Sequence, residues 1–293
     1  MKKVIISRIA LICCLVMVLC PFIANAATYT YSIDGEAMVS PDAYSPYRTI
    51  DSSAIGLAVP LNSPSDIKTD SDGNIYIADP FNNRIVVLDK YYNLKFEISQ
   101  FTNMNGIAYD SLRGCQGVFV WEGIESDGND GYVDEKYIYV ADTEKSRIVI
   151  FDKLGNFRDI VHEPVSEVMP ENSVYKPSAV AVDSAGRIYV VGKATNYGII
   201  SLNRDGSFNG FVGAITQQAN AWDMFWRNFQ TQAQIDASES VVSIEYNNIT
   251  IDADGFVYAT QSADTTQVPI KKLNPKGSDV LNRNGFHPPS GEV

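Results

Sequence analysis

The stretch Leu61–Asp89 reads LNSPSDIKTDSDGNIYIADPFNNRIVVLD, and its pattern decides the fold. An alternating run, Ser65–Thr69, ends in a tight turn whose Asp72 and Gly73 are residue types typical of β-hairpins. Two further apolar runs, Ile75–Ile77 and Ile85–Leu88, flank a second polar turn. Strand, tight turn, strand, polar turn and strand in this order predict a β-meander.

The same unit recurs along the chain. The later copies are Ile107–Asp110 with Tyr137–Asp142 and Ser146–Asp152, Pro177–Val191 with Gly198–Gly206, and Asn248–Thr260 with Pro269–Gly277. The aspartates taken as anchors are Asp70, Asp110, Asp183 and Asp252, which lie 40, 73 and 69 positions apart. The longer intervals contain insertions, so the underlying period is roughly 40–50 residues, the range of propeller blades.

The quoted stretch resembles the NHL repeat, in which D-x-x-G-x-(I/V)-Y-(I/V)-A-D is followed by N-x-R-(I/V). The likeness extends from Leu61 to about Gly277, but Gly192 and Gln261 replace the second aspartate in copies three and four. The resemblance implies an all-β, NHL-type β-propeller, usually of six blades. Because about four blades are visible, we expect an incomplete six-bladed ring, either a fragment or a chain that a partner completes. A compact four-blade ring, with Tyr29–Ile33 closing the last blade, is the alternative.

Residues 1–26 have the features of a signal peptide: a basic start, an apolar run from Ile9 to Ile23 and the cleavage motif Ala24-Asn25-Ala26. We therefore expect a secreted or cell-surface protein with no transmembrane segment after cleavage. Cleavage removes three of the four cysteines and leaves Cys115, so no internal disulfide can form. It also removes three positive charges from a chain of net charge −12, giving −12 − 3 = −15, which argues against a nucleic-acid partner.

The rest of the chain divides into a lead-in and a repeat region. Residues 27–60 form the lead-in, in which Tyr29–Ile33 alternates like an edge strand and Asp34-Gly35 can turn it into a second strand. Residues 61–293 form the blades, with insertions at 111–136 and 214–245.

The first insertion is a candidate calcium site, because hard oxygen ligands are crowded into one short loop. Its candidate ligands are Asp127, Asn129, Asp130, Asp134 and Glu135. The EF-hand pattern is not met, and an acidic loop tip that stays solvated explains the same residues.

The second insertion contains a candidate helix, Ala219–Ala237, without Gly or Pro. Its aromatic residues follow the spacing i, i+3, i+4 and i+7 of one helical face: Trp222, Phe225, Trp226 and Phe229. This face either packs on the propeller as a cap or binds a ligand such as a carbohydrate.

Two further sets of polar residues repeat within the blades. Asp66 and Asn105 begin innermost strands and are expected to face a central channel, with Ala179 and Asn247 or Asn248 at later positions. Such a ring either binds a ligand or cation, or is hydrogen-bonded for structural reasons. Arg84 and Arg147 each open a third strand, and we expect each to tie a turn to a neighbouring blade through Asp79 or Asp142.

These features favour a non-catalytic binding or scaffold propeller that recognises a protein or glycan at or outside the cell surface. The chain has only two histidines and lacks a nucleophile elbow, a phosphate loop and a Cys-x-x-Cys motif. A metal-dependent propeller hydrolase, lactonase or lyase is the alternative. A structural component of an envelope complex is the third interpretation.

Overall fold

The fold is described from a computed structural model. The described residues are 29–31, 36–39, 49–102, 109–126, 131–166, 175–192, 198–213, 246–261 and 270–281. They belong to two compact units, one within Met1–Thr49 and the other within Ile50–Val293. The helix predicted at 219–237 lies outside the described residues.

The first unit contains an antiparallel pair, β1 (Tyr29–Tyr31) and β2 (Ala37–Val39). Thr30 lies opposite Met38, which agrees with the predicted hairpin turn between the two strands.

The described part of the second unit contains four blades, each an antiparallel sheet of strands consecutive in sequence, one further two-stranded sheet, and one α-helix, α1 (Ser52–Ile55). Blade one consists of β3 (Asp66–Thr69), β4 (Ile75–Asp79), β5 (Arg84–Leu88) and β6 (Leu94–Ile98). A two-stranded sheet, β7 (Gln100–Thr102) and β8 (Tyr109–Ser111), follows it. Blade two consists of β9 (Cys115–Ser126), β10 (Tyr132–Asp142), β11 (Arg147–Asp152) and β12 (Phe157–His162).

Blade three consists of β13 (Pro177–Val182), β14 (Ile188–Gly192), β15 (Ile199–Leu202) and β16 (Phe208–Val212). The described strands of blade four are β17 (Tyr246–Ile251), β18 (Val257–Gln261) and β19 (Ile270–Leu273). Four antiparallel meanders placed side by side make a four-blade β-propeller. The repeat predicts the propeller and its four visible blades, whereas the six blades usual for the NHL resemblance are not seen among the described residues.

The turn after the first strand has the same hydrogen bonds in three blades. In blade one, the backbone N–H of Asn74 donates to Asp70 at 2.8 Å and the Tyr76 hydroxyl donates to the same carboxylate at 3.0 Å. Asp183 with Tyr189 and Asp252 with Tyr258 repeat this arrangement. An aspartate and a tyrosine six residues later are therefore the local signal that fixes each of these hairpins.

Blade two departs from the sequence interpretation. Tyr109 and Asp110, the described residues of the predicted first strand, belong to β8, which pairs with β7, while Tyr137–Asp142 pairs with β9. The first strand of blade two is Cys115–Ser126, which lies inside the range 111–136 that the sequence analysis assigns to an insertion. This strand lacks the Asp-x-x-Gly turn that the other three blades share and continues into a long hairpin, so the repeat pattern does not mark it.

Neighbouring blades pack through three apolar layers. One layer lies between blades one and two, around Val87 and Ile138, and a second lies between blades two and three, around Ile148 and Val190. The third lies between blades three and four, around Val191. Burial of these β-branched and aromatic side chains supplies the main stabilisation of the propeller.

The junction between blades four and one is different. The face of blade one that carries Ile77 and Val86 packs on two residues near α1. These are Ile55, the last residue of α1, and Leu57, which follows the helix. On the innermost strands, the side-chain amide of Asn248 donates to the Asp66 carboxylate at 3.2 Å. This junction is therefore joined by polar contacts at the centre.

No helix within the described part of the chain is long and apolar enough to cross a membrane.

Candidate functional site

The four innermost strands converge on one polar pocket of about 240 Å³. Its lining comes from all four blades: Ser65, Asp66, Gln116, Ser178, Tyr246, Asn247 and Asn248. We call this set the central pocket. Carboxylate, carboxamide and hydroxyl groups dominate it, so it can hydrogen-bond a polar ligand from several sides.

Asp66 is the charged residue of the central pocket, and its side chain is 5% exposed. One carboxylate oxygen accepts from the Val118 backbone N–H at 3.1 Å. The other accepts from the Asn248 amide at 3.2 Å and lies 3.8 Å from the Lys68 ammonium. Donors from three blades thus hold this carboxylate in place.

The neighbouring hydroxyl groups also form bonds between and within blades. Ser65 Oγ donates to the Gln116 carbonyl at 2.6 Å, which joins blades one and two. Ser178 Oγ donates to the Val191 carbonyl at 3.2 Å within blade three. Because a hydroxyl oxygen retains acceptor capacity after donating, both groups can still accept a bond from a ligand.

The structure places only some of the predicted channel residues at the central pocket. Asp66 faces the central pocket as expected, and its ligand-binding role stays a prediction. Asn105 lies outside the described residues, while Gln116 occupies the blade-two position that sequence reasoning missed. Ala179 is buried in the apolar layer of blades three and four, and its neighbour Ser178 lines the pocket instead.

The close approach of the innermost strands requires a glycine in blade two. A Cβ atom on Gly117 would lie 2.6 Å from the Ser178 carbonyl oxygen and 2.9 Å from the Ala179 Cα. A side chain at this position would push β9 and β13 apart. Gly117 therefore sets the separation of blades two and three beside the pocket.

The two repeated arginines pair with the predicted aspartates. Arg84 Nε lies 2.9 Å from Asp79, and Arg147 Nε lies 2.8 Å from Asp142. Both aspartate side chains are 0% exposed. The predicted link to a neighbouring blade needs correction. Arg84 donates to the Val59 carbonyl at 2.6 Å, so it ties its turn to the segment leading into its own blade.

Arg147 makes the equivalent link in blade two. It donates to Asp110 at 2.6 Å, which explains why Asp110 recurs as a motif residue although it is not a hairpin anchor. The Arg147 and Lys145 hydrogen bonds hold the pKa of Asp110 well below its usual range despite partial burial. Burial raises the pKa of Asp142 and outweighs the bonds that it accepts from Arg113 and Arg147.

A second polar cluster joins blade one to the β9–β10 hairpin. The Lys136 ammonium lies 2.6 Å from Asp70, 2.8 Å from Asp72 and 3.0 Å from Glu122. Burial by itself raises the pKa of Asp70, but hydrogen bonds from Asn74 and Lys136 outweigh it and lower the value to about 2. This network holds the hairpin against the first turn of blade one.

The remaining predicted site residues are placed as follows. Asp127, Asn129 and Asp130 lie outside the described residues, as do Trp222, Phe225, Trp226 and Phe229. Asp134 and Glu135 lie on β10, beside the Lys136 cluster. Over the described ranges, no three His, Cys, Asp or Glu side chains are grouped to hold a metal ion. The proposed calcium site stays a prediction.

Cys115 is buried and forms no disulfide. Its thiol donates to the Arg84 carbonyl at 3.3 Å, and burial raises its pKa to about 12. A buried thiol of this pKa is a poor nucleophile. Cys115 thus packs in the apolar layer between blades one and two.

Comparisons with known proteins return distant structural likenesses. No protein-family model matches the sequence, and no curated protein matches it. A selenomethionine-substituted virginiamycin B lyase from Staphylococcus aureus is 15% identical, with a TM-score of 0.43, over 85% of this chain and 60% of that one. A catalytically inactive variant of that lyase with quinupristin is 14% identical, with a TM-score of 0.42 over the same shares.

A gluconolactonase from Xanthomonas campestris is 15% identical, with a TM-score of 0.36, over 80% of this chain and 62% of that one. This chain thus spans about 60% of the length of the structures that it resembles. The fold assignment rests on the strand topology of the chain itself.

Proposed function

We propose that this protein is an exported, non-catalytic propeller that binds a polar segment of a protein or glycan at or outside the cell surface. The observation that carries the proposal is the central pocket, where amide and hydroxyl groups from four blades surround one carboxylate. Gln116, Ser178 and Asn247 offer both donors and acceptors, which suits the amide and hydroxyl groups of peptides and sugars.

The bonding of Asp66 supports binding over catalysis. A general base must be free to accept a proton from its substrate. Asp66 instead accepts bonds from Val118 and Asn248, and these bonds join blades. Asp66 thus acts as a structural carboxylate that fixes the side-chain amide of Asn248 beside the pocket.

The experiment is a screen of the chain against neutral oligosaccharides and peptides, followed by calorimetric titration of each hit. Gln116→Ala should weaken binding about tenfold, because loss of one amide–ligand bond costs on the order of 1–2 kcal/mol. Gln100→Ala, an exposed glutamine on β7, is the matched control and should bind normally.

Catalytic turnover of a substrate is the outcome that would overturn the proposal. Hydrolysis or elimination of a lactone that requires a divalent ion and disappears in Asp66→Asn would instead establish the metal-dependent enzyme. Equal binding by Gln116→Ala and the unmodified chain would remove the central pocket as the binding site.

A further inference from the structure

The hairpin of blade two extends beyond the strand that flanks it. β9 and β10 remain paired from Lys136 opposite Glu122 to Tyr132 opposite Ser126. The pairing of β10 with β11 begins only at Tyr137 opposite Asp152. β9 covers one edge of β10. Over the described residues, no strand covers the other edge of β10 from Tyr132 to Lys136.

An open strand edge is a template for another extended chain, because its N–H and C=O groups point outward at regular intervals. Proteins often protect such edges with a covering loop or a bulge. The register of β9 and β10 is regular from Tyr132 to Ala141, so no bulge interrupts the ladder in this segment.

The side chains around this edge are both apolar and acidic. Ile124 is 68% exposed, Tyr132 is 78% exposed and Val133 is 40% exposed. A groove of about 410 Å³ runs beside them, with four carboxylates and two ammonium groups in its lining. We call it the ribbon groove; the charged residues are Asp72, Glu122, Asp134, Glu135, Lys136 and Lys153.

The charge of the ribbon groove favours a cationic partner. Lys136 is already within 3.0 Å of three carboxylates, so its charge is neutralised inside the protein. Asp134 lies on the exposed part of β10, beside the open edge. The net charge of the whole chain, −12, adds a field that attracts basic segments.

The opposite face of the hairpin is fixed to blade three. Trp121 stacks on Tyr137 with ring centroids 5.7 Å apart, and its indole N–H donates to the Asp183 carbonyl at 2.8 Å. Arg204 pairs with Glu125 on the same face. On the groove side, Ser71 of blade one donates twice to Glu122, at 2.6 and 2.9 Å. The strand edge is thus held in position before any partner arrives, which lowers the entropy lost on binding.

We propose that the open edge of β10 and the ribbon groove bind an extended, basic peptide segment of a partner protein by β-strand addition. Backbone hydrogen bonds to Tyr132–Lys136 supply the register. On one face of the hairpin, lysine or arginine side chains of the partner lie against Asp134, and on the opposite face its apolar side chains lie against Val133. This surface shares no residue with the central pocket, so the two sites can be tested separately.

The test uses the full chain and a fluorescein-labelled octapeptide of alternating lysine and valine, with binding followed by fluorescence anisotropy. An octapeptide of alternating glutamate and valine tests the charge requirement. The lysine–valine peptide with alternate backbone amides N-methylated tests the strand ladder, because N-methylation removes the donors while keeping the charge.

We expect the lysine–valine peptide to bind and both control peptides to bind at least about tenfold more weakly. Asp134→Lys should weaken binding about tenfold and Asp134→Asn about threefold, since charge reversal replaces attraction with repulsion. Asp254→Lys makes the same charge change on an exposed residue of blade four and should bind normally.

Three results would overturn the proposal. The first is no binding by the unmodified chain, and the second is equal binding of the N-methylated peptide. The third is equal weakening by Asp134→Lys and Asp254→Lys, which would mean that overall charge, not the groove, attracts the peptide. Circular dichroism of each variant, together with Asp134→Asn, separates a loss of binding from a loss of fold.

Discussion

The amide of Asn248 donates to the carboxylate of Asp66 at 3.2 Å, although the two residues are 182 positions apart in sequence. This bond joins the innermost strands of blades four and one. The other three junctions are apolar layers. The junction between the first and last blades therefore depends on polar groups more than the others do.

Replacement of Asn248 tests this junction directly. Asn248→Ala should lower the free energy of unfolding by about 1 kcal/mol, because one bond to a charged, nearly buried acceptor is lost. Urea unfolding at pH 7 measures the change. Asn247→Ala removes the exposed neighbouring amide and should change stability little, so equal losses in the two variants would contradict the assignment.

Arg84, in the polar turn of blade one, should contribute more to the free energy of unfolding than Asn248 does. Arg84→Met leaves the fully buried Asp79 carboxylate without its cation, which should cost about 3–5 kcal/mol. Thermal unfolding should show a strong decrease in Tm. Arg113→Met, an exposed arginine beside blade two, is the matched control. A small effect of Arg84→Met would mean that Asn62 and Asn82, which also donate to Asp79, are sufficient.

A methyl group at Gly117 should separate blades two and three. Gly117→Ala places a Cβ 2.6 Å from the Ser178 carbonyl oxygen, and overpacking of this kind costs about 1–3 kcal/mol. Denaturant unfolding measures the loss, with Gln116→Ala on the same strand as the control. Unchanged stability of Gly117→Ala would show that β9 can move away from β13 without penalty.

The Asp70 network predicts a specific pH dependence. Because the pKa of Asp70 in the folded state is about 2, below the usual 3.8, the stabilisation is present above pH 4 and is lost as the pH falls toward 2. The shift corresponds to about 2 kcal/mol. Urea unfolding from pH 5 to 2 should show this loss, and Asp70→Asn should show a flatter profile over the same range.

Lys136 provides an independent test of the same network. Lys136→Met should raise the pKa of Asp70, since the ammonium is one of the donors that lower it. Titration of the Asp70 carboxyl by NMR measures the shift. Lys153→Met, an exposed lysine of the same groove, should leave the pKa of Asp70 unchanged. An unchanged pKa in Lys136→Met would assign the depression to Asn74 and Tyr76 alone.

The repeat predicts most of the fold because its information is local. Aspartate, glycine and tyrosine at fixed spacing form the same hairpin in blades one, three and four, so three blades follow directly from the motif. The first strand of blade two could not be predicted in this way. Its hairpin is longer than the first hairpin of the other blades. Asp110 fits the anchor position of the repeat in sequence, but in the structure it pairs with Arg147.

The candidate site was only partly predictable for a related reason. Asp66 could be assigned to the channel because it begins the first strand of the clearest repeat. Gln116 could not, since the pattern begins this strand at Ile107 and the structure begins it at Cys115, so a different side chain faces the centre.

By itself, the sequence determined the recurring β-meander unit and the residues that close the first hairpin of blades one, three and four, because hairpin formation depends on neighbours within about ten residues. Only the tertiary structure decided which strands lie at the centre, which polar groups meet there and which edge of β10 stays open. These features arise from contacts between residues such as Asp66 and Asn248, whose proximity depends on the packing of all four blades.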